Sequence, residues 1–331
     1  MSNTVDYGSA IREGFRYLLS NHDDVVAFGQ GLWSPWYVGN SMTNLDTEFG
    51  KDRVIDSPVS ELACTGASLG AALCGLKPIV IHPRVDFFVL AIDQLVNQAA
   101  KWNYMFGGDE KVPLTVRAII NRGGQQGAQH SQSLASWFAH VPGLRVVMPS
   151  TPADARDLLI AATLCNDPVL YIDDRWCYDR KEVLPPIREI DLRKEGPMLR
   201  REGSDVTLVG YSYCAWQCEQ AAEALADQGI SCDVFDLRVL NPLRLDDIFT
   251  SVAKTGKLVV VDGDWGPCGI GSEVISKCAE SGNIFTEPPV RLSLPDCPAP
   301  TSKPLEDAYY LSTDEIVDAV KTLMAEHSVE N

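Results

Sequence analysis

Residues 61–76, ELACTGASLGAALCGL, run almost directly into residues 78–81, PIVI. After its opening glutamate the first stretch is a run of small and apolar residues and reads as a closely packing helix; the second reads as a strand with no polar face. A strand apolar on both sides needs cover on both sides, which is the situation of a parallel sheet between layers of helices. The same alternation continues outward. Residues 7–20 are amphipathic at helical spacing, and residues 25–28 (VVAF) form a short buried strand ending in glycine. Downstream, residues 89–106 read as a long helix, 114–120 as a strand, 144–148 as a strand, 151–165 as a helix and 168–172 as a strand.

Residues 173–203 break the pattern. They are charged, hold Pro185, Pro186 and Pro197, and show no sustained period. They read as a linker. A second set of strands and helices then follows: strands at 205–211, 232–235 and 258–261, and helices at 215–227, 272–280 and 314–326. The expected fold is α/β with two doubly wound domains, residues 1–175 and 204–331, joined by a linker at 176–203. A chain of 331 residues is too long for one ordinary core, so two domains agree with its size.

Lys and Arg number 28 against 45 Asp and Glu, a formal net charge of −17. That argues against nucleic acid or an anionic membrane surface as partner, since both need basic patches. No run approaches the roughly 18–20 apolar residues of a membrane span. The first residues lack a basic start and apolar core, so no secretory signal is expected and the expected location is the cytoplasm. Ten cysteines show no Cys-x-x-Cys pair. Most, including Cys64, Cys74, Cys165, Cys232 and Cys278, sit among apolar neighbours and read as buried thiols, not as disulfides or metal ligands.

Two residues carry possible chemistry. Glu61 opens the apolar helix, where a buried carboxylate needs a partner. Helix-dipole stabilisation would account for it, and so would a ligand nitrogen that shares its proton. His130 lies in the loop 127–133 (GAQHSQS), which glycine borders. The glycine-rich stretch 122–127 lacks a P-loop lysine and dinucleotide spacing, and reads as a loop that shapes the approach to His130.

Five segments together resemble a known family: FGKDRVIDSPVSE (49–61), AIDQLVNQAAK (91–101), HSQS (130–133), PGLRVVMPSTP (142–152) and DLRVLNP (236–242). In this order they are similar to the β subunit of the thiamine-diphosphate-dependent decarboxylase component of 2-oxoacid dehydrogenases, of the pyruvate and branched-chain type. The resemblance runs over nearly the whole chain. It implies a transketolase-like pyrimidine-binding domain followed by a transketolase C-terminal domain. It implies thiamine diphosphate shared with an α subunit, and magnesium held by that subunit rather than by this chain. The motif that binds diphosphate and magnesium, Gly-Asp-Gly, is missing; the nearest look-alike, Asp262-Gly263-Asp264, inverts it. Further implied partners are a second β subunit, in an α2β2 heterotetramer, and a lipoyl acyltransferase core.

By the same resemblance Glu61 is the cofactor glutamate. A carboxyl bonded to the pyrimidine nitrogen favours the imino tautomer, which can take the proton from the thiazolium carbon. Phe87 matches the aromatic at the pyrimidine face, with Phe88 the competing choice. His130 matches the active-site histidine, which could orient the 2-oxo acid carboxylate or move protons. His140 reads as structural.

The chain departs from the family at two places. Gly29-Gln30-Gly31 stands where the family has Gly-Glu-Asp or Gly-Glu-Glu, and residues 81–86 (IHPRVD) replace an acidic and aromatic run. Gln30, His82 and Arg84 are therefore candidate substrate residues, and an arginine fork there suits a carboxylate or phosphate. An altered subunit contact is the alternative. The expected activity is oxidative decarboxylation of a pyruvate-like 2-oxo acid with acyl transfer to a lipoyl group. Half of a split transketolase-like enzyme and a non-catalytic partner subunit are the competing readings.

Overall fold

The computed structural model describes residues 4–282 and 284–325. The chain divides into two compact units: Met1–Arg122 with Trp137–Glu195, and Gly123–Ser136 with Gly196–Asn331. Residue 326, at the end of the last expected helix, lies outside the described residues.

The first unit holds, in chain order, β1 (Val5–Asp6), α1 (Tyr7–Asn21), β2 (Val25–Gln30), β3 (Tyr37–Asn40), α2 (Leu45–Phe49), β4 (Val54–Ser57), α3 (Glu61–Leu73), β5 (Lys77–His82) and α4 (Val85–Phe88). The expected long helix over 89–106 is composite. It is a 3-10 turn Val89–Ala91, a π-helical stretch Asp93–Ala99 and α5 (Ala100–Met105). Then come β6 (Thr115–Ile120), α6 (Ala135–Ala139) within which the division into units falls, β7 (Arg145–Val147), α7 (Pro152–Leu164), β8 (Val169–Asp174) and β9 (Lys181–Glu182). Parallel strands of this unit pair in the order β7-β8-β6-β5-β2-β4. Every residue of β6 and β8 is buried, as continuous apolar strands require.

Local signals set the helix starts. Asp6 precedes α1 and its carboxylate accepts from the Ser9 N–H at 2.8 Å. Thr151 caps α7 through the Asp154 N–H, and Pro152 occupies the first turn. Both are side-chain oxygens satisfying orphan amides at a helix start. The segment read as a linker has structure of its own. It includes the end of β8, and its strand β9 pairs antiparallel with β1.

The residues at the end of β8 anchor the core by charge. Arg117 on β6 is fully buried. Its Nε and Nη2 donate to the two oxygens of Asp173 at 2.9 Å each, and its Nη1 donates to Ser41 Oγ at 3.0 Å. The Tyr178 hydroxyl donates to Asp173 Oδ2. Burial disfavours the guanidinium charge, but Asp173 more than offsets it, so Arg117 stays protonated.

The second unit holds β10 (Met198–Arg201), β11 (Val206–Gly210), α8 (Tyr213–Ala226), β12 (Cys232–Asp236), β13 (Val239–Asn241), α9 (Asp246–Thr255), β14 (Leu258–Trp265), α10 (Ile270–Glu280), β15 (Val290–Leu294), α11 (Lys303–Asp307) and α12 (Thr313–Ala325). Its five-stranded sheet runs β10-β12-β11-β14-β15, with β10 antiparallel and the others parallel. α8 and α12 cover one side with Cys218, Ala222, Ile316 and Val320.

The cysteines are free. Cys64, Cys165, Cys232 and Cys278 are buried as expected, whereas Cys74, at the C-terminal cap of α3, is exposed. Burial pushes the Cys278 thiol up to about 11 and the Cys232 thiol up to about 12, which makes both poor nucleophiles.

Removing Asp173 leaves the Arg117 guanidinium buried without its carboxylate. Asp173→Ala is expected to lower unfolding stability by about 3–5 kcal/mol in a denaturant titration; a loss under about 1 kcal/mol would show that the pair does not anchor this unit.

Candidate active site

The parallel strands β2, β4 and β5 of the first unit lie side by side and end at Gln30, Ser57 and His82. The carboxyl edge of a parallel sheet is where α/β proteins build ligand sites. Gly29 pairs with Ile81 across β2 and β5. A Cβ on Gly29 would sit 2.4 Å from the Ile81 carbonyl oxygen, so only glycine allows this approach.

Beyond these ends Gln30, Glu61, Thr65 and His82 form a buried polar cluster. Gln30 and Glu61 are 6% and 7% exposed, and the Gln30 amide donates to Glu61 Oε1 at 3.1 Å. Glu61 is the first residue of α3, and Thr65 lies one turn later on the same face. Thr65 Oγ1 lies 2.9 Å from His82 Nε2. The His82 ring stacks on Phe88 at 5.1 Å, and Phe88 in turn packs on Phe138 at 5.4 Å. His82 Nδ1 is buried with no hydrogen-bond partner among the described residues.

Burial pushes His82 down to about 4, with the Glu61 charge acting in the opposite direction. His82 is therefore neutral near pH 7. An acid in place of Gln30, as the family pattern has, would set two carboxyls within hydrogen-bonding distance. The amide supplies a donor instead.

Sequence placed Glu61, Gln30 and His82 among the candidates, and these three come together. Arg84 occupies the N-terminal cap position of α4 and is partly buried. Phe87 is 39% exposed, whereas Phe88 is fully buried. His130 is carried by the second unit; it is partly buried, and its backbone N–H donates to the Gly127 carbonyl at 3.2 Å. His140 is exposed.

Sequence reasoning missed Thr65, whose signal was its spacing of four from Glu61. It also missed the polar pair that follows β6. Asn121 donates to the Pro83 carbonyl at 2.8 Å and so ties β6 to the turn before α4. Arg122 pairs with buried Asp174 at 2.7 Å, over the Trp176 ring.

In the second unit Asp262 is not a ligand-binding acid. It is fully buried and accepts from the Tyr211 hydroxyl, from the Asp264 N–H at 3.1 Å and from the Gly271 N–H at 2.7 Å in the first turn of α10. Burial raises its carboxyl and these donors oppose the rise.

The buried His82 makes a signed prediction. Its ordinary value is 6.5, so below that pH the unfolded chain takes up a proton that the folded chain refuses until about pH 4. Stability is complete above pH 6.5 and falls as pH drops toward 4, by about 3 kcal/mol at most. In unfolding titrations between pH 7 and 4.5, His82→Phe is expected to flatten this slope; an unchanged slope would show that His82 is not buried neutral.

Residues 3–176 match the transketolase pyrimidine-binding domain and residues 196–316 the transketolase C-terminal domain. The chain is 36% identical to the β subunit of acetoin:2,6-dichlorophenolindophenol oxidoreductase of Bacillus subtilis, over 98% of this chain and 99% of that one. It is 34% identical to the mitochondrial pyruvate dehydrogenase E1 component subunit β of Bos taurus, over 92% and 82%. A solved split-gene transketolase, an inactive β4 tetramer, superposes with a TM-score of 0.79 at 20% identity, over 97% of this chain and 98% of that one. The chain belongs to the transketolase-like family of two-domain subunits that includes the β subunits of pyruvate dehydrogenase E1 and acetoin oxidoreductase.

Proposed function

We propose that this chain is the β subunit of a heteromeric thiamine-diphosphate enzyme. With an α subunit it decarboxylates a pyruvate-like 2-oxo acid and passes the acyl group to a lipoyl arm. The observation that carries the reading is the buried Glu61 at a sheet's carboxyl edge, hydrogen-bonded by Gln30, in a chain matched nearly end to end by β subunits. Cleavage of acetoin is the second reading, because the relatives from Bacillus subtilis and Cupriavidus necator, 36% and 38% identical, carry that name.

The donor set fits the pyrimidine half of the cofactor. It offers one buried carboxyl able to share a proton with a ring nitrogen, and one partly exposed aromatic face, Phe87, able to cover a flat ring. Bound thiamine diphosphate supplies a nucleophilic carbon for the donor's carbonyl and a sink for the electrons released on decarboxylation. Glu61 hydrogen-bonds the pyrimidine ring nitrogen, and Gln30 fixes the carboxyl that does so. His82 stays neutral and adds no positive charge beside that carboxyl. His130 orients the donor's carboxylate or carries a proton during acyl transfer. Arg84 gives the site a preference for anionic donors. The α subunit holds the diphosphate and magnesium, and a second copy of each chain completes an α2β2 assembly that docks on a lipoyl acyltransferase core. No helix among the described residues is long and apolar enough to cross a membrane. Ten free cysteines support placement in a reducing cytoplasm.

The test is made on the chain co-purified with its α partner. Thiamine diphosphate and magnesium at a hundredfold excess over Kd are expected to stabilise the assembly by about 2.7 kcal/mol in thermal unfolding. Glu61→Gln is expected to lower turnover by roughly 10²-fold or more and to remove most of that stabilisation. A full cofactor shift in Glu61→Gln would end the proposed role of Glu61.

A donor screen separates the activities. Turnover of pyruvate or branched 2-oxo acids supports the first reading, acetoin the second, and ketose phosphates alone a split transketolase. If Arg84→Ala changes the kinetics of no donor, Arg84 plays no part in donor choice.

A further inference from the structure

The segment Gly123–Ser136 belongs to the second unit although its flanking sequence belongs to the first. Five of its residues have left-handed backbone: Gly123, Gly124, Gln125, Gly127 and Leu134, with φ between 59° and 76°. Glutamine and leucine occupy that region only where the surroundings hold them there.

The holding contacts come from distant parts of the second unit. Glu306, on α11, is 4% exposed, and both of its carboxylate oxygens lie 3.0 Å from the Gln125 N–H. A Cβ on Gly127 would sit 2.4 Å from the Thr301 methyl, so the loop is pressed against the residues leading into α11. The Ser136 hydroxyl donates to Asp264 Oδ2 at 3.3 Å and fastens the far end. His130 lies between these fixings, and its own backbone N–H is bonded to the Gly127 carbonyl.

We infer that Glu306 is a positioning residue for His130: its buried carboxylate locks the left-handed turn at Gln125 and thereby sets where the histidine loop stands. The inference rests on the proposed role of His130 for its kinetic consequence, but not for its structural one. A carboxylate accepting a backbone N–H forms a charge-assisted bond that a neutral acceptor replaces only in part. The glycines supply the conformational freedom, and Glu306 removes it at one point.

The experiment measures amide hydrogen exchange in the full chain paired with its α partner. The Gln125 amide is expected to exchange roughly ten- to hundredfold faster in Glu306→Ala, with Glu306→Gln intermediate. Gly127→Ala, which drives a methyl into Thr301, is expected to loosen the same loop without touching Glu306. Adding Thr301→Ser, which deletes the obstructing methyl, should restore part of the protection.

In turnover assays kcat is expected to fall about tenfold or more in Glu306→Ala, from displacement of a group near the chemistry. The donor KM should change little, and the pH profile of kcat should shift. Cofactor-induced thermal stabilisation should be retained.

Unchanged exchange at Gln125 in Glu306→Gln and in Gly127→Ala would overturn the inference, and these variants decide it if Glu306→Ala does not fold. Faster exchange with unchanged kcat and pH profile would overturn the link to His130. If the unmodified assembly turns over no donor, the proposed function fails, while the exchange measurements still decide what Glu306 does to the loop.

Discussion

A carboxylate held out of water next to an amide is the constraint on which the first unit's candidate site depends. Glu61 is tolerable there because three things coincide. It starts a helix, where the peptide dipoles favour negative charge. Gln30 donates to it from the end of the adjacent β2. That approach is possible because Gly29 lets β2 lie against the Ile81 carbonyl without a side chain between them. The amide at position 30 also gives Glu61 a hydrogen-bond donor where a second acid would set two carboxyls together.

Around that pair the unit separates charge from neutrality. His82 is kept neutral by burial and by stacking on Phe88. The full charges sit farther along the sheet, where Arg117 within β6 pairs with Asp173 and Arg122 just past β6 pairs with Asp174. Neutral polar groups lie next to Glu61, while paired charges farther along the sheet carry the electrostatic cost of burial between them. The second unit applies the same economy with Asp262, whose carboxylate is used up by a tyrosine and two backbone amides. The inverted Asp-Gly-Asp motif is therefore a strut between β14 and α10.

The loop around His130 is built differently. Its glycines permit the turns, but their freedom would leave the histidine without a fixed place. Glu306, Thr301 and Asp264 supply the fixing from positions more than a hundred residues later in the chain. A histidine carried by one unit and a glutamate carried by the other are thus each held by contacts internal to their own unit.

Much of this was legible in the order of residues. Apolar runs such as residues 78–81 and 258–261, alternating with helical patterns on either side of a break at 173–203, read as strands covered on both faces and indicated the α/β class and the two-part organisation. Glu61 stood out as a carboxylate opening an apolar run, and Gln30 and His82 as departures from the pattern of the family the chain resembles. Other features were invisible because they are pairings between distant positions. Nothing local marks Asp173 as the partner of Arg117, Thr65 as the partner of His82, or Glu306 as the acceptor for the Gln125 amide. The choice between Phe87 and Phe88 was open in sequence; burial separates them, since one ring joins the His82–Phe138 stack and the other stays partly exposed. Side-chain type and period decide which segments become strands and helices. Which polar groups satisfy one another in the interior depends on strand order and register, and the chain acquires those only when it folds.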